Sequence, residues 1–178
     1  MIGQGDKMKK YMIFSYLVLF LLALMGGCKN TSQNIQTTPF VSTLAIINQA
    51  GMPTTTFAQG ESVNGIISVT NISLNNQDVL LGGGCSPIID IYSNNTLIYN
   101  DSGMCLTILP TRSTMLPGQT ITAPVLWSQK DENGQQVPIG TYNAVGKMPG
   151  SWITGTVGTD IFSQPFPASQ HVYFSIGP

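Results

Sequence analysis

The sequence predicts an all-β chain, a single β-sandwich of short strands set behind an N-terminal export segment. Two observations carry the prediction. From Val41 onward, β-branched and aromatic runs are split by Gly, Pro, Asn and Ser clusters, and no stretch keeps an amphipathic helical period. The last of these runs, His171 to Ile176, alternates cleanly, with Val172, Phe174 and Ile176 on one face.

Residues 1–30 stand apart. Lys7, Lys9 and Lys10 precede an uncharged apolar run from Met12 to Met25. At about fourteen residues it falls short of the roughly twenty that span a bilayer, so it reads as a secretory signal peptide. Gly26 and Gly27 follow, then Cys28. The order Met25-Gly26-Gly27-Cys28 resembles the lipobox of bacterial lipoproteins, with Met25 where leucine is usual. That resemblance implies cleavage before Cys28, a diacylglyceryl group on its thiol and acylation of the new amino terminus. Several acyl chains hold a protein stably where one binds only marginally. Met8, opening Met8-Lys9-Lys10, is the more natural start of such a peptide. In Gram-negative lipoproteins an Asp after the Cys commonly retains the protein in the inner membrane. Lys29 occupies that place, which points to the outer membrane, facing the periplasm.

The expected organisation is therefore a signal peptide over 1–27, a lipidated Cys28 with a polar tether over 28–40, and a sandwich over 41–178. Val41 to Ile46 is the first strand, and Ala50-Gly51-Met52-Pro53 turns away from it. Val63 to Val69 is the second, and Val79-Leu80-Leu81 is a short strand running into Gly82-Gly83-Gly84. Ile88 to Tyr92 and Thr96 to Tyr99 flank Ser93-Asn94-Asn95 and read as a hairpin. Asp101-Ser102-Gly103 turns into a strand over Cys105 to Leu109. Leu116-Pro117-Gly118-Gln119 meets the type II requirement, and Thr120 to Trp127 follows it. Asp131 to Gly134 turns again before Thr141 to Gly146.

The order Leu116-Pro117-Gly118-Gln119, Trp127, Asp131 with Gly134, then Val137-Pro138-Ile139-Gly140-Thr141-Tyr142 resembles the intracellular proteinase inhibitor (BsuPI-type) domain. The resemblance covers about Ser62 to Met148 and implies an immunoglobulin-like sandwich. In it Trp127 plugs the core, and Tyr142 is placed to bond backbone as a tyrosine corner. These are scaffold positions. None marks a reactive site, and a fold does not fix a function.

Composition narrows the function. Beyond the signal peptide, Lys29, Arg112, Lys130 and Lys147 stand against Glu61, Asp78, Asp90, Asp101, Asp131, Glu132 and Asp160. Four against seven leaves a net charge of −3 with His171 neutral, and no basic patch for nucleic acid. Charged residues are 8% of the chain where roughly 25% is usual, so steering by long-range fields is weak. A neutral polar surface suits burial in an assembly, and it is also common in secreted β-domains. With Cys28 lipidated, Cys85 and Cys105 remain as an expected disulfide in an oxidising compartment. Closing that loop would stabilise the fold by about 3 kcal/mol. Two thiols and one distant His make a poor metal set, so no metal or cofactor is expected.

Catalytic raw material is thin. His171 reads as an edge or surface residue, Asp90 as an exposed strand residue by alternation, and Asp131 and Glu132 as turn residues. No enzyme activity and no small-molecule substrate are expected. The connection from Pro149 to Gln170 exceeds ordinary loop length and carries Trp152, Ile153, Ile161, Phe162 and Phe166. Three readings stay open: these side chains fold back over one end of the sandwich, they contact a partner, or the segment is disordered. Trp152, Ile153, Phe162 and Phe166 are the candidate partner-binding residues. The functional expectation is a membrane-anchored structural or adaptor lipoprotein that binds protein partners in an envelope assembly, such as a secretion apparatus. The alternative is a periplasmic or surface proteinase inhibitor.

Overall fold

The structure, a computed structural model, describes residues 38–101, 106 and 108–178. The signal peptide, Cys28, Cys105 and most of the tether lie outside the described residues. In chain order the strands are β1 (Phe40–Ile47), β2 (Thr56–Ala58), β3 (Val63–Asn71), β4 (Gln77–Gly82), β5 (Ile88–Ser93) and β6 (Thr96–Asn100). They continue with β7 (Pro110–Met115), β8 (Thr120–Trp127), β9 (Gly140–Lys147), β10 (Gly150–Val157), β11 (Asp160–Pro165) and β12 (Val172–Gly177). The chain is all-β, as its patterning predicts.

Among the described residues three sheets form, ordered β1-β3-β8, β2-β12-β9-β5-β6 and β11-β10-β4-β7. The first two face each other across the larger core. Leu44, Ile46, Val63, Ile67, Val125 and Trp127 from one side meet Ile89, Ile91, Tyr142, Ala144, Phe174 and Ile176 from the other. The short β2 pairs parallel with the final strand, while β12, β9, β5 and β6 pair antiparallel. Two opposed sheets, with the last strand beside a small second piece near the N-terminus, make an immunoglobulin-like sandwich.

The third sheet arises because β1, β3 and β8 are long, with eight, nine and eight residues. Their far ends extend past the five-stranded sheet and need their own cover. Phe40, Val69 and Ile121 from those ends pack with Val79, Met115, Trp152 and Phe166 in a second cluster. The register along β1 is strict: Phe40, Ser42, Leu44 and Ile46 are buried while Val41, Thr43 and Ala45 are exposed. Phe40, expected at the end of the tether, is therefore a strand residue and 1% exposed.

Local chemistry sets the turns. Asn94 and Asn95 hold φ of 48° and 62°, the left-handed pair that closes a two-residue hairpin between β5 and β6. Gly118 has φ 77°, and the Gln119 N–H donates to Leu116 O at 3.0 Å, the type II turn that Pro117-Gly118 predicts. Trp127 is 1% exposed; its indole N–H donates to Lys130 O at 2.8 Å and its ring lies 5.8 to 6.2 Å from those of Tyr142, Phe174 and Tyr99. The Tyr142 hydroxyl donates to Pro138 O, four residues back, completing the tyrosine corner.

Three expectations are corrected. Of the strand expected over Cys105 to Leu109, Cys105 and Thr107 lie outside the described residues and Leu106, Ile108 and Leu109 are not in a strand. The strand here is Pro110–Met115, where all but Met115 are exposed. An edge strand of Thr, Arg and Ser has no apolar period to betray it. The presumed loop from Pro149 to Gln170 is mostly the hairpin β10–β11, turning at Gly158-Thr159. Gly150 makes its entry possible: φ is 125°, and a Cβ there would sit 2.7 Å from Leu80 O. Asp90 is buried, as described below.

Candidate functional site

The structure splits the four candidate residues of the hairpin. Trp152 and Phe166 are 8% and 7% exposed, and they pack against Phe40 with ring centroids 5.8 and 5.1 Å away. They belong to the second core. Ile153 is half-buried, and Phe162 is 52% exposed. The fold-back reading holds for two of the side chains, and a surface role is left to Phe162.

What the hairpin leaves outward is its tip and the edge of β11. A bulge between Ile153 and Gly155 shifts the register so that Phe162 lies opposite Gly155, which has no side chain to cover the ring. Val157, Ile161 and Phe162 are all exposed. Asp160 is the only charge between Pro149 and Gln170. β11 pairs with β10 on one side and with no other strand among the described residues. Natural edges of this kind are guarded by charge, proline or a bulge. Here Asp160 and Pro165 guard the two ends of β11, and the stretch from Ile161 to Gln164 stands between them without charge.

The outer face of β5, β9 and β12 holds the second polar grouping. Alternation does aim Asp90 away from the main core, but the residue is 1% exposed. Asn100 donates to its carboxylate at 2.5 Å, Tyr92 OH lies 3.5 Å away, and Lys147 closes an ion pair over it. Neighbours on the flanking strands bury it, a cause that one-strand alternation cannot register. Close by, His171 Nδ1 meets Asn143 Oδ1 at 2.6 Å, and its ring lies 5.5 Å from that of Tyr92. His171 is exposed, in line with the surface expectation. Asp90, Asn100, Asn143 and His171 are each engaged with a neighbour in the grouping.

Asp131, Asp78 and Arg112 serve the scaffold. Asp131 Oδ1 accepts from the backbone of Asn133 and Gln135 at 2.9 and 2.8 Å, fixing its turn. Asp78 on β4 bonds Arg112 at 2.6 Å and Thr114 at 2.9 Å on β7. Those two hydrogen bonds, the Arg112 one foremost, hold its carboxyl below the ordinary 3.8. Among the described residues no group of three or more His, Cys, Asp or Glu is placed to share a metal ion. Cys85 follows the Gly82-Gly83-Gly84 turn, where Leu106 N–H donates to Gly84 O at 2.9 Å.

The fold and these surfaces define a class, an immunoglobulin-like β-sandwich in which β11 is a weakly charged sheet edge. No family model matches the chain, and no curated protein matches it. Among solved structures, a β-glucosidase from Listeria innocua is 11% identical with a TM-score of 0.35, over 78% of this chain and 16% of that one. The CARDB domain of a Pyrococcus furiosus protein, in complex with di-metal ions, is 9% identical with a TM-score of 0.38, over 77% of this chain and 91% of that one. An alkylpurine DNA glycosylase from Pseudomonas fluorescens is 8% identical with a TM-score of 0.36, over 79% and 31%. The chain thus spans about a sixth of the glucosidase, and likenesses this distant say nothing of activity.

Proposed function

We propose that the chain is a lipid-anchored, non-enzymatic adaptor of a bacterial cell envelope that holds a protein partner on the open edge of β11. The observation that carries this reading is the unpaired edge itself, with Ile161 and Phe162 exposed beside it. An extended segment of a partner can add to such an edge through backbone hydrogen bonds, with side-chain contacts supplying selectivity. Low charge supports a permanent contact, since few ions must be stripped of water. The Met25-Gly26-Gly27-Cys28 motif supports the anchor, and Lys29 supports the periplasmic face of an outer membrane. With Cys28 taken by lipid, the even remainder of Cys85 and Cys105 supports a disulfide between them in an oxidising compartment.

The test is purification from membranes in mild detergent, followed by mass spectrometry of co-eluting proteins, for the natural chain and for Phe162→Glu. A stoichiometric envelope partner that the variant loses is the expected result. Elution of the natural chain alone would overturn the reading. Capture of a lone protease would favour the alternative, a proteinase inhibitor. That alternative has only the family resemblance behind it, and the motif residues Trp127, Gly118 and Tyr142 are all engaged in the scaffold.

A further inference from the structure

The geometry points to one end of the sandwich as a bilayer-contacting surface, with Leu74 as its tip and Ile72 and Leu116 beside it. The inference rests on the lipid anchor at Cys28, and it adds which way the domain faces. Three pieces of chain meet at this end: the entry at Thr38-Pro39, the connection from β3 to β4, and the turn from β7 to β8. Leu74 is 94% exposed, Ile72 59% and Leu116 55%. Exposed leucines on slack loops would mean little, but these are held in place.

Asn71, fully buried, is the clasp. Its side-chain amide donates to Asn75 O and to Met115 O, both at 2.9 Å, and its Oδ1 accepts from Ser73 N at 3.0 Å and Ser73 Oγ at 2.7 Å. Its backbone N–H donates to Gln119 O at 3.0 Å, and its carbonyl accepts from Gly118 N at 2.8 Å. Ile72 N–H donates to Pro39 O at 2.9 Å, which ties in the entering chain. A polar network thus fixes the loop that presents Leu74, instead of letting the side chain fold onto the core.

Charge separates the two ends of the molecule. The connections over 72–76 and 116–119 contain none, and the nearest charges, Asp78 and Arg112, neutralise each other. The opposite end carries Glu61, Lys130, Asp131 and Glu132. An uncharged apolar tip enters the headgroup region without stripping ions of water, and its binding grows with the apolar area buried there. The described chain enters the domain at this same end, with Thr38-Pro39 leading into β1 beside Asn71. Ten residue steps separate Cys28 from Thr38, about 35 Å at full extension. Presenting the charged end would use about 26 Å of that reach to run back along the eight residues of β1.

The experiment uses the processed, full-length protein reconstituted into phosphatidylcholine vesicles with ordinary or brominated acyl chains. Leu74→Trp reports on the proposed tip and Ile139→Trp on the opposite end, against the constant emission of the buried Trp127 and Trp152. The added emission at 74 should shift to the blue, be quenched several-fold more by brominated lipid than that at 139, and resist iodide. Vesicle flotation is read first. A protein that fails to float overturns the anchor and this inference together. A protein that floats with position 74 unquenched and open to iodide, or with both positions quenched alike, leaves the anchor standing and overturns the orientation. A protein partner in place of lipid would give that same unquenched signal, because the vesicles contain no other protein.

Discussion

Asn71→Ala is the substitution expected to damage the domain most for the number of atoms removed. The side chain is fully buried and takes part in four hydrogen bonds, two donated and two accepted. Each is worth about 1 kcal/mol net, and the carbonyls of Met115 and Asn75 and the N–H of Ser73 would all lose their partner. Part of that set regains water, because Ser73 is only half-buried and Asn75 is exposed, whereas the Met115 bond is buried. The expected loss is about 3 kcal/mol, or a fall in Tm on the order of 10 °C. Ser73→Ala, which removes one bond to the same amide oxygen, should cost about 1 kcal/mol. Urea unfolding followed by Trp127 fluorescence measures both, and an unchanged slope would show that the unfolded state is the same. An Asn71→Ala loss below about 1 kcal/mol would refute the claim that this amide holds the neutral end together.

The hairpin and the tyrosine corner give sharper contrasts. Trp152→Ala should cost about 3 to 5 kcal/mol, as an emptied core site does, while Phe162→Ala should stay within about 0.5 kcal/mol; equal costs in urea titrations would contradict the split between core and surface. Tyr142→Phe should cost about 1 kcal/mol by leaving Pro138 O without its donor, measured in the same way. Burial raises the pKa of Tyr142 above 10.0, and burial with the Asp101 charge raises that of Tyr99. Because the folded values are raised, this stabilisation is complete below pH 10 and is lost as pH climbs through the folded values. Urea midpoints read beside phenolate absorbance should fall above pH 10, and less steeply in Tyr142→Phe; a midpoint flat across that range would contradict the coupling.

Particular residues show how far the sequence could be read. Pro117-Gly118, Asn94-Asn95, Trp127 and Tyr142 were legible because each answers to a local rule: a left-handed turn, a large plug with one polar atom, a hydroxyl seeking a nearby carbonyl. Gln129 was not. It is fully buried at φ 57°, donating to Ala58 O at 2.9 Å and accepting from Gly60 N at 2.7 Å, with partners some seventy residues away. Asp90 misled for the same reason, since its cover comes from Lys147 and Asn100 on neighbouring strands. The proposed edge was half legible: Phe162 stood out as an aromatic in a neutral stretch, but nothing local distinguished it from Trp152 and Phe166.

The sequence by itself determined the all-β class, the turn positions and the low charge, because strand period, left-handed turns and composition act within a few residues. Tertiary structure alone decided that β1, β3 and β8 back two cores, that Trp152 faces inward while Phe162 faces out, and that Asn71 locks a leucine outward beside the chain entry. Those outcomes depend on which strands become neighbours. Burial is a property of the assembled sheets, and segments far apart in the chain supply the atoms that create it.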